Sequence, residues 1–204
     1  LVGSEMCIRD SVSNRADVID RICRTPLMYA PHTERAYSDV DYMILGLIVE
    51  QVVGKRLDEY LQEGVYRRLG LERTGFRPLD IRTPPDLIAA TELNGNTRDG
   101  NVGFGTRPDG SPVFIRTQTI RGQVQDEKAF YTMSGVSGHA GLFSTADDLG
   151  VLLQLMSNEG MYQGREYFPA DVQRRFLTPD GDSATYGLGW RTNGYYYFHG
   201  GPSK

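Results

Sequence analysis

Tyr37-Ser38-Asp39 places a phenol, a hydroxyl and a carboxylate in three consecutive positions, directly ahead of the apolar run VDYMILGLIVEQVVGK. An ionised carboxylate only accepts hydrogen bonds, whereas a phenol or hydroxyl both donates and accepts. The three together could therefore hold and relay a proton, provided something fixes them. The apolar run supplies that element. Val40, Met43, Ile44, Leu47 and Ile48 recur at helical spacing. Asp39 or Ser38 stands where an N-cap belongs, with a side-chain oxygen able to accept the orphan amide hydrogens of the first turn. A helix fixes the backbone there, and its N-terminus favours negative charge. A tyrosine packed beside an ordinary cap is the plainer reading, and spacing alone does not separate the two.

A second stretch with chemical content is YTMSGVSGHAGLFSTADDLGVLLQLMSNEG. Its glycines and small residues point to a backbone that approaches another element closely. His139 sits at the centre, either as a structural hydrogen-bonder or in a direct chemical role. Ser144-Thr145-Ala146-Asp147 has the form of a capping box. The helix it predicts carries Leu149, Leu152, Leu153 and Met156 on its apolar face and closes at Gly160. His32, in the loop PLMYAPHTERAYSD, reads as a solvated turn residue.

Around these stretches the chain alternates helices and loops. ADVIDRICR puts Val18, Ile19 and Ile22 on one face, and Pro26 ends that helix. The helix after Asp39 stops at Gly54, a good C′ residue. LDEYLQEGVYRRLG comes next, with Leu57, Tyr60, Leu61, Val65 and Leu69 as its expected buried face, and the two helices read as an antiparallel pair. Gly46 inside the first helix costs about 1 kcal/mol of propensity and would let another element come close. From Thr74 to Asn101 the chain is rich in Pro, Asn, Asp and Gly, with LIAATE as a short strand, and such long loops are often functional. VFIRTQTIRGQVQDEKA predicts one strand and a polar loop, and PADVQRRFL a helix. Tyr186 to Trp190 and Tyr195 to Phe198 read as strands joined by Asn193-Gly194, a hairpin signal. The expected fold class is α+β, an antiparallel sheet flanked by helices, beside an all-helical region.

At 204 residues the chain can bury one sizeable core. Its 39% hydrophobic and 24% charged residues are globular proportions. A net charge of −4 with both signs interspersed offers no basic stripe for nucleic acid. No apolar run is long enough for a transmembrane helix. Cys7 and Cys23 could pair in an oxidising compartment, but neither sits in a C-x-x-C, so a structural metal site is not expected; no cofactor is expected either. The opening Leu1 to Ser11 has no periodicity and resembles translated sequencing-adapter read-through, so it is expected to be non-native. Residues 12–204 would then be one partial domain, and GGPSK stops without a terminating element.

Taken together, these pieces resemble the serine β-lactamase-like family: class C β-lactamases, low-molecular-mass penicillin-binding proteins and related esterases. YSDVDYMILGLIVEQVVGKRLDEYLQEGVYRRLGLERTGF is similar to the family's tyrosine motif, its helix and the LGL…T-F beyond it. GHAGLFSTADDLGVLLQLM and YGLGW resemble two later segments. AATE, NTRDG and DEKAFY bring the chain nearest to the periplasmic D-alanyl-D-alanine carboxypeptidase-like branch. The resemblance implies a periplasmic or envelope enzyme that acts through an acyl-enzyme on D-alanyl peptides or β-lactams. A small ester is an alternative substrate, and a nucleophile-less homologue that only binds cell-wall peptides is a rival of another class.

In that family an S-x-x-K motif supplies the serine and its lysine, a Tyr-x-Asn motif assists proton transfer, and a K-T-G or H-x-G motif binds the substrate carboxylate. A serine hydroxyl is a weak nucleophile and needs an adjacent base. A phenol beside an ammonium can have its pKa drawn down. Tyr37 matches the motif's tyrosine, and Asp39 stands where asparagine is usual; both are candidate catalytic residues. Ser38, His139 and His199 are candidate substrate-binding residues. Asp for Asn adds a negative charge and removes two donors, and Gln125 stands where the branch often has histidine. His199-Gly200-Gly201 has the H-x-G form. FHGGPSK also fits the Phe-x-Gly-x-x-Ser stretch that precedes the true motif, which is the preferred reading. No serine among the 204 residues has lysine three places on, so this chain alone is expected to be inactive by that mechanism.

Overall fold

A computed structural model of the chain describes residues 15–31, 33–34, 37–81, 83–97, 110, 114–179 and 186–190. These fall into two compact units that divide between Thr145 and Ala146.

The first unit begins with α1 (Arg15–Arg24) and α2 (Asp39–Val53). Val18 of α1 and Val40 and Met43 of α2 are buried with Met133, and Ile22, Ile44 and Leu47 pack around them. Helix α2 ends as expected at Gly54, in the left-handed region with φ 67°, where its N–H donates to the Glu50 carbonyl. The Glu50 carboxylate accepts from the Leu57 amide at 2.9 Å and pairs with Arg15. One side chain thus holds the start of the next helix and ties it to α1.

That next helix is continuous but irregular: α3 (Leu57–Leu61), a π-turn (Gln62–Tyr66) and α4 (Arg67–Leu69). The π-turn corrects the expected buried face. An i→i+5 turn inserts an extra residue and shifts the phase of the residues after it. Tyr66 therefore turns inward where Val65 was expected, while Leu57 and Leu69 keep their buried places. Leu57 packs with Phe76 and Val136 in a second cluster, flanked by Val49 and Leu61.

Among the described residues the strands are short and pair antiparallel. β1 (Gly75–Phe76) pairs with β4 (Leu142–Phe143), and β2 (Ala90–Glu92) with β3 (Ile120–Arg121). The expected strand after Val113 is thus only two residues long. Between β3 and β4 lies α5 (Glu127–Tyr131), capped by Asp126, whose carboxylate accepts from the Ala129 amide at 2.7 Å.

The second unit holds α6 (Ala146–Ser157), the hairpin of β5 (Met161–Tyr162) and β6 (Arg165–Glu166), and α7 (Ala170–Leu177). Two expectations change here. Leu155 is the buried residue of α6, whereas Leu149 and Leu153 of the expected face are exposed. Residues 186–190 are not an extended strand: the Gly187 amide donates to the Trp190 carbonyl at 2.8 Å, and Gly189 has φ 77°. A left-handed glycine folds the backbone back on itself, which a strand cannot accommodate. Residues 195–198, His32, Cys7 and His199 lie outside the described residues. Among the described residues no helix is long and apolar enough to cross a membrane.

Candidate active site

The two stretches that the sequence singled out meet through glycines. A Cβ on Gly46 of α2 would stand 3.0 Å from the Gly138 nitrogen, and one on Gly138 would overlap the Tyr42 carbonyl. Backbone therefore lies directly on backbone, as the glycine content predicted. Arg15 fastens the same segment from the other side, donating to the carbonyls of Val136 (3.1 Å) and Met133 (3.5 Å). Next to this contact lies an apolar cleft of about 460 Å³. Tyr42, Leu45, Leu57 and Phe76 line it, with Ser137 and His139 in its wall.

Tyr37 lies two residues ahead of α2 with 88% of its surface exposed, so its phenol is open to solvent. Its hydroxyl donates to Asp39 Oδ1 at 2.8 Å. The other Asp39 oxygen accepts from Lys128 Nζ at 2.6 Å. Side-chain exposure is 8% for Lys128 and 18% for Asp39, so the ion pair is largely out of water. Asp39 is thus the first helical residue and not the cap. Ser38 occupies the cap position in extended conformation and makes no side-chain cap hydrogen bond, which corrects the expected capping role. The physical reason is competition. Lys128 and Tyr37 offer the Asp39 carboxylate a charged donor and a phenolic donor, and bonds to ionised groups are the stronger ones. Burial alone would push the Asp39 carboxyl up; hydrogen bonds from Lys128 and Tyr37, with the charges of Lys128 and His139, outweigh it and hold it below 3.8.

His139 is held from both sides. Its Nδ1 lies 2.8 Å from Ser137 Oγ and its Nε2 2.9 Å from Asp126 Oδ1, with the ring 4% exposed. An Asp126 carboxylate only accepts, so Nε2 carries the proton in that contact. Burial pushes Asp126 up, and the hydrogen bonds from His139 and the Ala129 amide, with the nearby charges, bring it below 3.8. Asp39, Asp126 and His139 present ligand-type atoms within 4.8 Å of one another. In these contacts Asp39 accepts from Lys128, and both His139 nitrogens have protein partners, so an added cation would have to displace internal bonds.

Arg116 stiffens the support. It is 1% exposed, and its guanidinium donates to Asn96 Oδ1 (2.8 Å) and to the carbonyls of Val124 (2.8 Å) and Gln125 (3.0 Å). It also lies over the Phe130 ring, 3.7 Å from the centroid. The backbone leading into Asp126 and the helix carrying Lys128 are thereby pinned together.

The structure thus gathers Tyr37, Asp39 and His139 into one region and places Ser38 beside them at the cap. Asp126, Lys128 and Arg116 are residues that sequence reasoning missed. The only signal for the first two was the DEKAFY run, because a buried lysine leaves no periodic pattern. Arg116 gave no signal: its partners, two backbone carbonyls, the Asn96 side chain and the Phe130 ring, are brought to it by the fold.

The sequence model of the Beta-lactamase family matches residues 5–204. A protein of Escherichia coli (strain K12) named "Putative D-alanyl-D-alanine carboxypeptidase" is 52% identical over 181 residues, covering 89% of this chain and 40% of that protein. The chain therefore spans about 40% of the length of the curated relatives it matches. Among solved structures, a penicillin-binding protein from Bacillus halodurans superposes with TM-score 0.56 at 20% identity, over 86% of this chain and 45% of that one. A D-amino acid amidase from Ochrobactrum anthropi SV3 gives TM-score 0.51 at 15% identity, over 86% and 48%. At such identities the likeness establishes the fold, which is the α+β class expected from the sequence.

Proposed function

Because the chain belongs to the β-lactamase family, we propose that it is part of a serine hydrolase of the bacterial envelope that works through an acyl-enzyme on D-alanyl peptides or β-lactams. The observation that carries this reading is the line of hydrogen bonds from the Tyr37 phenol through Asp39 to the buried Lys128. It orients a solvent-facing phenol through its own O–H; once that proton has left, the phenolate oxygen is the group that can accept a proton from a nucleophile. Loss of the serine proton as the hydroxyl attacks, and its return to the leaving group, is the work such a phenol can do. The 52% identity to a carboxypeptidase-named relative supports the substrate class. The nucleophile and its lysine would come from parts of the longer protein beyond these 204 residues, since no S-x-x-K occurs among them. His139, braced by Asp126 and Ser137, would serve as a positioning residue in the cleft wall. No metal or cofactor enters the reading.

The test is the protein expressed from the longer reading frame and incubated with a labelled penicillin. A covalent adduct on a serine is expected, together with release of D-alanine from a D-alanyl-D-alanine peptide. Tyr37→Phe should slow acylation by roughly 10²–10⁴-fold, the usual contribution of a positioned acid–base group. The 204-residue chain alone should give no adduct. A longer frame that contains no S-x-x-K would overturn the hydrolase reading and leave binding of cell-wall peptides in its place.

A further inference from the structure

A carboxylate is an awkward neighbour for a phenol that must part with its proton. Asp39 accepts the Tyr37 hydroxyl at 2.8 Å. If that proton leaves, two negative groups face each other across the same contact, and like charges that close oppose ionisation. The structure places a cation where it relieves this conflict: Lys128 Nζ, 2.6 Å from the second Asp39 oxygen. Both partners are largely buried, so little water is present to screen either charge.

We propose that Lys128 is the charge-compensating residue of the site, so that Asp39 and Lys128 act as one neutral unit that orients the Tyr37 phenol without opposing loss of its proton. The role for the phenol rests on the hydrolase reading above; the neutral unit itself does not. The ammonium is well placed for the task. It comes from the first turn of α5, whose start is fixed by the Asp126 cap and by the Arg116 clamp on the carbonyls of residues 124 and 125. Among the described residues, the other titratable groups near Asp39 are His139, whose charge when protonated acts in the same sense as that of Lys128, and Asp126, which is held by His139 and by the Ala129 amide. Among the described contacts, Lys128 Nζ pairs with Asp39, while Asp126 has these other partners.

Two readouts in the full-length protein test this. One is the titration of the Tyr37 phenol, followed by NMR of ¹³Cζ-labelled tyrosine and assigned with Tyr37→Phe. The other is the rate of acylation by a labelled penicillin. Lys128→Met leaves the Asp39 charge uncompensated, and should move the phenol midpoint up by about one pH unit or more and slow acylation about tenfold or more. Asp39→Asn/Lys128→Met removes both charges and keeps the shape at position 39. It should return the midpoint to within about half a unit of the wild type and recover most of the lost rate. A double variant no better than Lys128→Met, or a Lys128→Met protein with an unmoved phenol, overturns the proposal. If Lys128→Met fails to fold, the double variant decides alone: a midpoint near that of the wild type supports the neutral unit, and a displacement of more than a unit sinks it. A wild-type protein that never acylates defeats the hydrolase reading, while the titration still decides the role of Lys128.

Discussion

Asp39 and Asp126 are both carboxylates whose partners outweigh the effect of burial, and this gives the site an acid-sensitive signature. Each is held below the ordinary value of 3.8 in the folded protein. A group with a depressed folded pKa contributes stability above its unfolded value and loses it as the pH falls through the folded value. Thermal stability of the full-length protein should therefore fall below about pH 4. Melting curves from pH 6 to pH 3 check this, and Asp126→Asn should flatten part of that slope. An unchanged slope would mean that Asp126 has the same pKa folded and unfolded. Arg116 makes a contrasting case. Arg116→Met would remove the guanidinium donor from the Val124 carbonyl and the Asn96 amide oxygen, while the Gln125 carbonyl would keep its hydrogen bond from Asn96 Nδ2. At about 1–3 kcal/mol for each unsatisfied group, denaturant unfolding should show a loss of at least about 2 kcal/mol. Tyr66 is not a competitor for Tyr37: burial pushes its phenol up to about 12.

At the scale of elements, the contact between α2 and the glycine segment positions the site, and it depends on two missing side chains. Gly138→Ala would drive a methyl group into the Tyr42 carbonyl. Backbone cannot rotate aside as a side chain can, so a cost of about 1–3 kcal/mol is expected. Gly150→Ala, in the interior of α6 with nothing within 4 Å of the new Cβ, should instead stabilise by up to about 1 kcal/mol. Denaturation midpoints of the two variants should move in opposite directions. The π-turn at Gln62–Tyr66 is the other decisive local feature. It rephases the helix, so a strict 3.6-residue pattern selects the wrong buried aliphatic after Leu61.

For the whole molecule, α2 is apolar on nearly every side, which is the pattern of a helix buried all round. Yet Tyr42, Leu45, Ile48 and Val52 are all exposed here. Leu149, Leu153 and Phe176 in the second unit are exposed as well. Scattered exposed apolar residues are ordinary, but a row of them along one helix is not. With the chain spanning 40% of its curated relatives, the 204-residue chain should bind a hydrophobic dye more strongly per mole than the full-length protein, and should be poorly soluble. A sharp cooperative melt with little dye binding would count against this.

The sequence by itself determined the class of fold, the family and the place of Tyr37. Helical periodicity, a glycine stop and several motifs in order are local properties, and each is written in consecutive residues. It also foresaw, from glycine content alone, that α2 and the segment around His139 would be approached closely. Only the tertiary structure showed that they approach one another. Nor could the sequence reveal that Asp39 abandons a capping role, since that depends on a lysine 89 positions away along the chain. A buried ammonium or guanidinium is specified by the groups that surround it in space, and those groups carry no periodicity of their own. The chemistry of Asp39 was therefore decided by packing, because packing sets which charge stands beside it and how little water lies between.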